Sequence, residues 1–417
     1  MRILKLSPAT EAKLTRMREG QDAAAYRVAA RIVADVKRRG DAALDLWSRK
    51  LDSVDLRRKG LWIERREMAA AKRRVSREFL QAVAHAAANV RRVAERQLPR
   101  EWSLLVEPGV QVAQLLRPID AVGCYIPGGR FALFSTLVMT VVPAQVAGVG
   151  RIVACCPAAN DELLAAADLL GVTQLARIGG AQAVAALAYG TRRIAPVEKI
   201  FGPGNRYVTA AKQVVSADCA VDLPAGPTEA VVLARRGNAR WIAADLLAQG
   251  EHAPDAGSYL VTTSAALARR VQQEVVAQLK LLPRSNPAHI SMRKTGVIFL
   301  ARTWDQAIAF VNRFAPEHLS LPESSLPLLK RMRCAGTIFA GPLSAQPFGD
   351  YASGSNHVLP TGGWARRRGG LSVADFVKQI TVQTIANRGY RRLAANVQVM
   401  ARAEGLLAHA CAIEVRR

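Results

Sequence analysis

From Ala121 onward the sequence alternates short apolar runs with segments of helix length, and this alternation restricts the possible folds more than any other feature. Val122 to Ile126, Ile152 to Cys155, Leu175 to Ile178 and Lys199 to Phe201 read as strands, with helices predicted from about Phe134, Asp161, Ala181 and Arg206. Repeated strand-helix units of this kind build a parallel sheet with right-handed crossovers. A second set follows, with strands at Ala230 to Leu233, Ser258 to Thr262 and Gly296 to Phe299 and helices at Trp241 to Gln249, Ser264 to Leu282 and Trp304 to Phe314. The predicted class is α/β: two Rossmann-like units with parallel sheets, plus small helical N- and C-terminal segments. Residues 1 to 100 read as helical, chiefly Gln21 to Arg39 and Arg65 to Gln97, where Ala, Arg, Glu and Val recur at helical spacing.

Composition narrows the class of protein. With 417 residues, half of them hydrophobic, the chain can bury a large core divided among two to four folding units. It contains no uncharged apolar run of about 18 residues, and its start, Met-Arg-Ile-Leu-Lys-Leu, lacks a signal-peptide hydrophobic segment. A cytoplasmic protein without membrane insertion is expected. The six cysteines, at 124, 155, 156, 219, 334 and 411, show no Cys-x-x-Cys spacing and are expected to be buried thiols in a reducing compartment. A formal charge of +25 could attract nucleic acid. The arginines are nevertheless spread along helical segments, without a basic strand interleaved with aromatics, so a solvated basic surface and no specific nucleic-acid partner are expected. The local exception is Arg366-Arg367-Arg368, a run between glycine pairs that could attract anions.

Three predicted strands end in glycine turns: Tyr125-Ile-Pro-Gly-Gly129, Gly179-Gly180-Ala-Gln182 and Gly202-Pro-Gly-Asn205. Ligands of open α/β sheets sit at the carboxyl ends of strands, where glycine admits a phosphate close to backbone amides. No stretch completes G-x-G-x-x-G, so on the glycines alone nucleotide binding and ordinary tight turns remain equal alternatives. Between Phe310 and Pro360 lie two of the six histidines, His318 and His357, with Glu317 and Asp350. Glu317 and His318 follow Pro316, where a turn can aim a carboxylate and an imidazole at one pocket as proton acceptors. Gln249 and His252 are three apart at a helix end and can share a ligand if the helix continues through them. A carboxamide oxygen is a weak zinc ligand, so that pair needs help, for which Asp350 and His409 are candidates; a capped helix end is the alternative.

The strings Tyr-Ile-Pro-Gly-Gly, Gly-Gly-Ala-Gln-Ala, Phe-Gly-Pro-Gly-Asn, Ala-Gln-Gly-Glu-His, Ala-Pro-Glu-His-Leu and Gly-Asp-Tyr-Ala-Ser-Gly-Ser-Asn-His-Val-Leu-Pro-Thr occur in that order. Together they resemble the histidinol dehydrogenase family from about residue 120 to the end. The resemblance implies a zinc-dependent homodimer, with its active site completed across the interface, that oxidises L-histidinol to L-histidine through L-histidinaldehyde with two NAD molecules in succession. It implies zinc on Gln249, His252, Asp350 and His409, and NAD contacts from Tyr125, Gln182 and Asn205. It further implies His318 as the catalytic base, Glu317 as the activator of water, and substrate contacts from Thr228, Gln249, His252, His318, Asp350, Glu404 and His409. Thr228 stands where the family usually has a serine, and its extra methyl is a departure that could crowd the pocket. His357, in Ser-Asn-His-Val, reads equally as substrate-proximal and as structural.

With the resemblance, the expected organisation is an N-terminal helical segment (1–20), a main α/β catalytic domain (21–124 and 229–371), a Rossmann-like NAD-binding domain (125–228) and a C-terminal helical segment contributing to the active site (372–417). A paralogous dehydrogenase of another amino or sulfonated alcohol is the nearest alternative reading, and Glu404 favours histidinol over it; a basic RNA-binding protein with an inactive dehydrogenase fold is the more distant one, and the intact ligand set with Glu317 and His318 argues against it.

Overall fold

In the computed structural model, which describes residues 1–19, 23–128, 132–223, 226–322 and 326–416, the apolar runs form two wholly parallel sheets. The strands in chain order are β1 (Arg2–Lys5), β2 (Trp102–Glu107), β3 (Val110–Pro118), β4 (Ala121–Tyr125), β5 (Arg151–Cys155), β6 (Gln174–Ala176) and β7 (Lys199–Phe201). They continue with β8 (Ala220–Val221), β9 (Glu229–Leu233), β10 (Gly257–Thr262), β11 (Val297–Leu300), β12 (His318–Leu321), β13 (Thr337–Ala340) and β14 (Val377–Ile385). One sheet has the order β6-β5-β4-β7-β8 and the other β1-β11-β10-β9-β12-β13. All residues of β4, β9 and β10 are buried. Strands covered on both faces must be apolar at successive positions, which is why these runs lack alternation. The α/β class expected from sequence is therefore the one observed.

Amphipathic helices cover the five-stranded sheet. Helix Ala23–Arg39 turns Ala29, Ile32 and Val36 into a core with Val153, Ile178 and Ile200, while Met68, Val83 and Val90 pack with Val122, Leu137 and Phe201. These helices thus belong with the five-stranded sheet, which differs from the expected grouping of 21–124 with 229–371. The expected helix from Arg65 to Gln97 is two helices, Arg65–Lys72 and Arg77–Gln97, the second begun by Ser76 accepting a hydrogen bond from the Phe79 amide. The expected starting residue Gln21, and Gly129 of the first glycine turn, lie outside the described residues.

Both terminal segments depart from an all-helical reading. β1 is a sheet edge paired with β11, and β14 joins β3 and β2 in a three-stranded antiparallel sheet. Trp102, Leu104, Leu105, Ile380 and Val382 on that sheet are exposed. Among the described residues no helix is long and apolar enough to cross a membrane. All six cysteines are free; 124, 155, 156 and 219 are buried as expected, whereas Cys334 is half-buried and Cys411 exposed. The arginine run is not an open anion site. Arg366 donates to the Arg313 carbonyl at 2.7 Å, Arg368 donates to both carboxylate oxygens of Asp375 at 2.8 Å, and Arg367 lies over the Trp364 ring.

Two devices bring the sheets' edges together. Only residues 222–228 separate β8 from β9, so the carboxyl edge of the first sheet and the amino edge of the second lie within about 25 Å along the chain. The loop after Asp350 is also fastened to the first unit: Asn356 donates to the Met139 carbonyl at 2.7 Å, and Asn89 donates to that of Ala352 at 2.8 Å. At the end of β7, Gly202 has φ +115°, and a Cβ there would meet the Tyr125 carbonyl at 2.1 Å, so only glycine fits. A buried ion pair holds this turn. Lys212 reaches Asp222 at 2.5 Å and the Gly202 carbonyl at 2.6 Å, while the Gly202 amide donates to Asp222 at 2.7 Å. Lys212→Met leaves the Asp222 carboxylate buried without its cation, and is expected to cost about 3–5 kcal/mol of stability, measured as the shift in urea midpoint.

Candidate active site

The site grows from the amino ends of β9 and β12, which run side by side with Ala230 opposite His318. This is the opposite edge from the one expected for ligands of an open α/β sheet. Helix Trp304–Phe314 ends at Ala315, a fully buried residue in the left-handed region at φ 50°, and the chain then turns through Pro316 into the strand. Glu317 and His318 therefore enter and open β12, beyond the turn end where the sequence alone places them.

Glu317 is buried, with one carboxyl oxygen accepting from the Thr228 hydroxyl at 2.6 Å and from the Glu229 amide at 2.9 Å. Burial pushes its pKa up to about 8, against the two hydrogen bonds; the nearby charges of Glu229 and Asp350 act in the same direction as burial. Thr228 also accepts from Gln249 Nε2 at 2.8 Å. Its hydroxyl thus ties the acid to Gln249, a role serine could equally fill. Below this layer Arg18 pairs with Glu229, its Nε donating to the carboxylate at 2.7 Å, so the second buried acid has a cation.

His318 is buried and stacks on Phe339. Its Nδ1 lies 3.3 Å from the Glu229 carbonyl and 3.7 Å from Glu317 Oε2. A carbonyl only accepts, so Nδ1 carries the hydrogen and Nε2 the lone pair. Nε2 lies 3.8 Å from Asp350 Oδ1 and has no hydrogen-bond partner among the described residues. Burial lowers the imidazole pKa to about 4, with Asp350 opposing and His252 and His357 assisting.

Gln249 is fully buried near the end of helix Ala239–Gly250. The helix stops at Gly250, so His252 follows in a turn, with Nδ1 against the carbonyls of Ala248 and Gln249 at 3.0 and 3.2 Å. The Gln249 carboxamide oxygen accepts from Gln346 at 2.8 Å, and Gln346 opens the short helix Gln346–Tyr351 that carries Asp350. His357 donates through Nδ1 to the Asp350 carbonyl at 2.9 Å and meets Thr136 Oγ1 at 3.2 Å through Nε2. It spans the two units and fixes the backbone of Asp350. Thr228, Gln249, Glu317, His318 and Asp350 are thus joined by contacts, with His252 beside them. Glu404 and His409 are not: both are exposed, on the C-terminal helical arm. Among the described residues no three His, Cys, Asp or Glu side chains group as a metal site.

At the carboxyl edge of the five-stranded sheet, Tyr125 ends β4 and its hydroxyl accepts from the Gly180 amide at 3.1 Å. Gln182 is fully buried in the first turn of helix Gly180–Tyr189, and donates to Asp52 at 2.8 Å. Asn205 caps helix Arg206–Val215, accepting from the amides of Tyr207 and Val208. Glu229, Gln346 and Asp52 escaped the sequence reading. Glu229 is adjacent to Thr228 and Gln346 close to Asp350, but nothing in the sequence connects Asp52 to Gln182, 130 residues away.

The sequence profile of the histidinol dehydrogenase family matches residues 15–417. This chain belongs to the histidinol dehydrogenase family. It is 45% identical to a histidinol dehydrogenase of Methanothermobacter thermautotrophicus over 386 residues, covering 91% of this chain and 90% of the relative. Against the Geobacillus kaustophilus enzyme the identity is 46%, with 92% of each chain covered. The crystal structure of histidinol dehydrogenase from Elizabethkingia anophelis superposes with a TM-score of 0.94 at 36% identity, covering all of this chain and 98% of the other. The protein is accordingly an NAD-dependent oxidoreductase of the histidine-biosynthetic class.

Because the Thr228 hydroxyl is both a donor to Glu317 and an acceptor from Gln249, Thr228→Val removes two buried hydrogen bonds without changing the side-chain shape. It is expected to destabilise the fold by about 1–3 kcal/mol, whereas Thr228→Ser stays within about 1 kcal/mol of the parent; urea midpoints of the two variants measure the difference.

Proposed function

We propose that the site oxidises L-histidinol to L-histidine through L-histidinaldehyde, with reduction of two NAD molecules. The observation that carries the reading is His318: a buried neutral imidazole whose Nδ1 is tied to a backbone carbonyl and whose Nε2 has no hydrogen-bond partner among the described residues. Such a group accepts a proton without first losing one. Its Nε2 takes the hydroxyl proton of the alcohol as the hydride leaves carbon. Glu317, one residue away, when ionised above its pKa of about 8 removes a proton from the water that adds to the aldehyde, and His318 then accepts the hydroxyl proton of the hydrate. Each NAD accepts one hydride, and zinc, when bound, supplies a charge that anchors the substrate's nitrogen atoms. Water enters once, so the carbon gains one oxygen and loses two hydrides.

The residues fit these groups. His252 has Nδ1 occupied by backbone carbonyls, which leaves Nε2 as a metal donor with its ring orientation fixed. Gln249 and Asp350 add oxygen donors, and a mixed nitrogen and oxygen set suits zinc. His409 is the fourth proposed ligand and Glu404 a substrate carboxylate. Both lie on an arm whose exposed faces carry Val399, Met400, Leu406 and Leu407, beside the apolar antiparallel sheet. A homodimer that exchanges these arms supports both observations, burying the apolar surface and bringing His409 and Glu404 of one subunit to the other's site. Tyr125, Gln182 and Asn205 are the proposed NAD contacts, at the strand ends where a nucleotide is accommodated. The domain 125–228 is the proposed NAD-binding unit.

The test of the reaction is stoichiometry: zinc-loaded protein given L-histidinol is expected to form two NADH per histidine, and one NADH with accumulation of aldehyde would contradict it. His318→Ala is expected to slow both oxidations by about a hundredfold or more, while Glu317→Gln chiefly slows oxidation of supplied histidinaldehyde. Wild-type aldehyde oxidation by both variants would remove these roles. Arm exchange has its own signature. His318→Ala and His409→Asn proteins, each inactive alone, are expected to regain about a quarter of wild-type activity after mixed refolding, since half of the dimers then hold one intact site. Complementation fails if each chain supplies its own His409.

A further inference from the structure

The strongest unassigned feature is the environment of Gln182. Its amide nitrogen donates to Asp52 Oδ2 at 2.8 Å, while its amide oxygen is buried with no hydrogen-bond partner among the described residues. That oxygen lies over the Gly179–Gly180 turn, where a Cβ on Gly180 would approach it to 2.7 Å, and Gly180 itself has φ +61°. The same turn donates its Gly180 amide to Tyr125. A carboxylate has no hydrogen to give, so it can face only the NH2 end of a carboxamide. Without that restriction the two ends of the amide are nearly equal in shape and could exchange places.

We propose that Asp52 is a positioning residue for the dinucleotide: its carboxylate fixes the Gln182 amide so that the oxygen is presented as a hydrogen-bond acceptor to a hydroxyl or amino group of NAD. The inference rests on the reading of Gln182 as an NAD contact. Asp52 reaches it from the end of helix Asp41–Asp52, packed on the outer face of the five-stranded sheet, and also accepts a backbone hydrogen bond from Gly179 in the same turn. The unpartnered oxygen explains the arrangement. A buried acceptor left unpaired is unfavourable, and a donor arriving with the ligand removes that penalty. If Asp52 served only to hold the turn, nothing would require the amide to point one way.

Equilibrium titration of zinc-loaded protein with NAD, together with KM and kcat for NAD, tests the assignment. Asp52→Asn preserves shape and can face either end of the Gln182 amide, so it is expected to weaken NAD binding about tenfold, with the larger part of the effect in KM. Gln182→Glu sets two carboxylates against each other and is expected to weaken binding more. The double variant Asp52→Asn with Gln182→Glu restores the hydrogen bond with its direction reversed, keeps an acceptor oxygen on the nucleotide side, and is expected to recover most of the affinity lost in Gln182→Glu. Wild-type affinity in Asp52→Asn, or a folded double variant no better than Gln182→Glu, overturns the proposal while leaving Gln182 as an NAD contact. Unchanged NAD binding in Gln182→Ala would overturn both.

Discussion

The register between β9 and β12 is the constraint on which the site depends. With Ala230 opposite His318, the residues just before each strand, Thr228 and Glu317, fall side by side, and the Glu229 backbone offers an amide to Glu317 and a carbonyl to His318. One peptide segment thus holds the acid by donation and the imidazole by acceptance. A one-residue slip would turn both side chains to the other faces of the sheet and leave two buried polar groups unpaired.

The proposed reaction draws on two different sheet edges. The acid and imidazole stand at the amino edge of the six-stranded sheet, whereas Tyr125 and the turn at Gly180 stand at the carboxyl edge of the five-stranded one. The short link 222–228 limits how far these edges can part, and His357 joins Thr136 of the first unit to the Asp350 backbone. The Lys212–Asp222 pair stiffens the nearby Gly202 turn from inside. Buried acids therefore stand where the units meet: Asp222 and Glu229 each have a cation, and Glu317 is held by a hydroxyl and a backbone amide.

Much of this was legible in the sequence, for physical reasons. Strands buried on both faces leave uninterrupted apolar runs, so β4, β5, β9 and β10 could be read to within a residue or two. Glu317 and His318 stood out because a carboxylate and an imidazole adjoin after proline. β12 itself did not, since His-Leu-Ser-Leu is too short to show a period. The antiparallel sheet was hidden because the nine residues of β14 are mostly exposed and polar at Lys378, Gln379, Thr381 and Gln383, so no buried face marks them. The arginine run looked free because carbonyl acceptors such as that of Arg313 carry no signature in sequence. The same holds for Asp52: a contact made across 130 residues is a property of packing alone.

Ala315 has a consequence for the stiffness of the site. It sits in the left-handed region with its methyl group wholly buried, two residues before the acid, where glycine would adopt the same backbone at no steric cost. Glycine, though, would also give the segment many other conformations. An alanine there, followed by the ring of Pro316, leaves the approach to Glu317 few ways to bend. The strain of about 1 kcal/mol in one residue thereby becomes rigidity in the next three, and the Glu317 carboxyl and the His318 imidazole keep their spacing through the steps of the proposed oxidation.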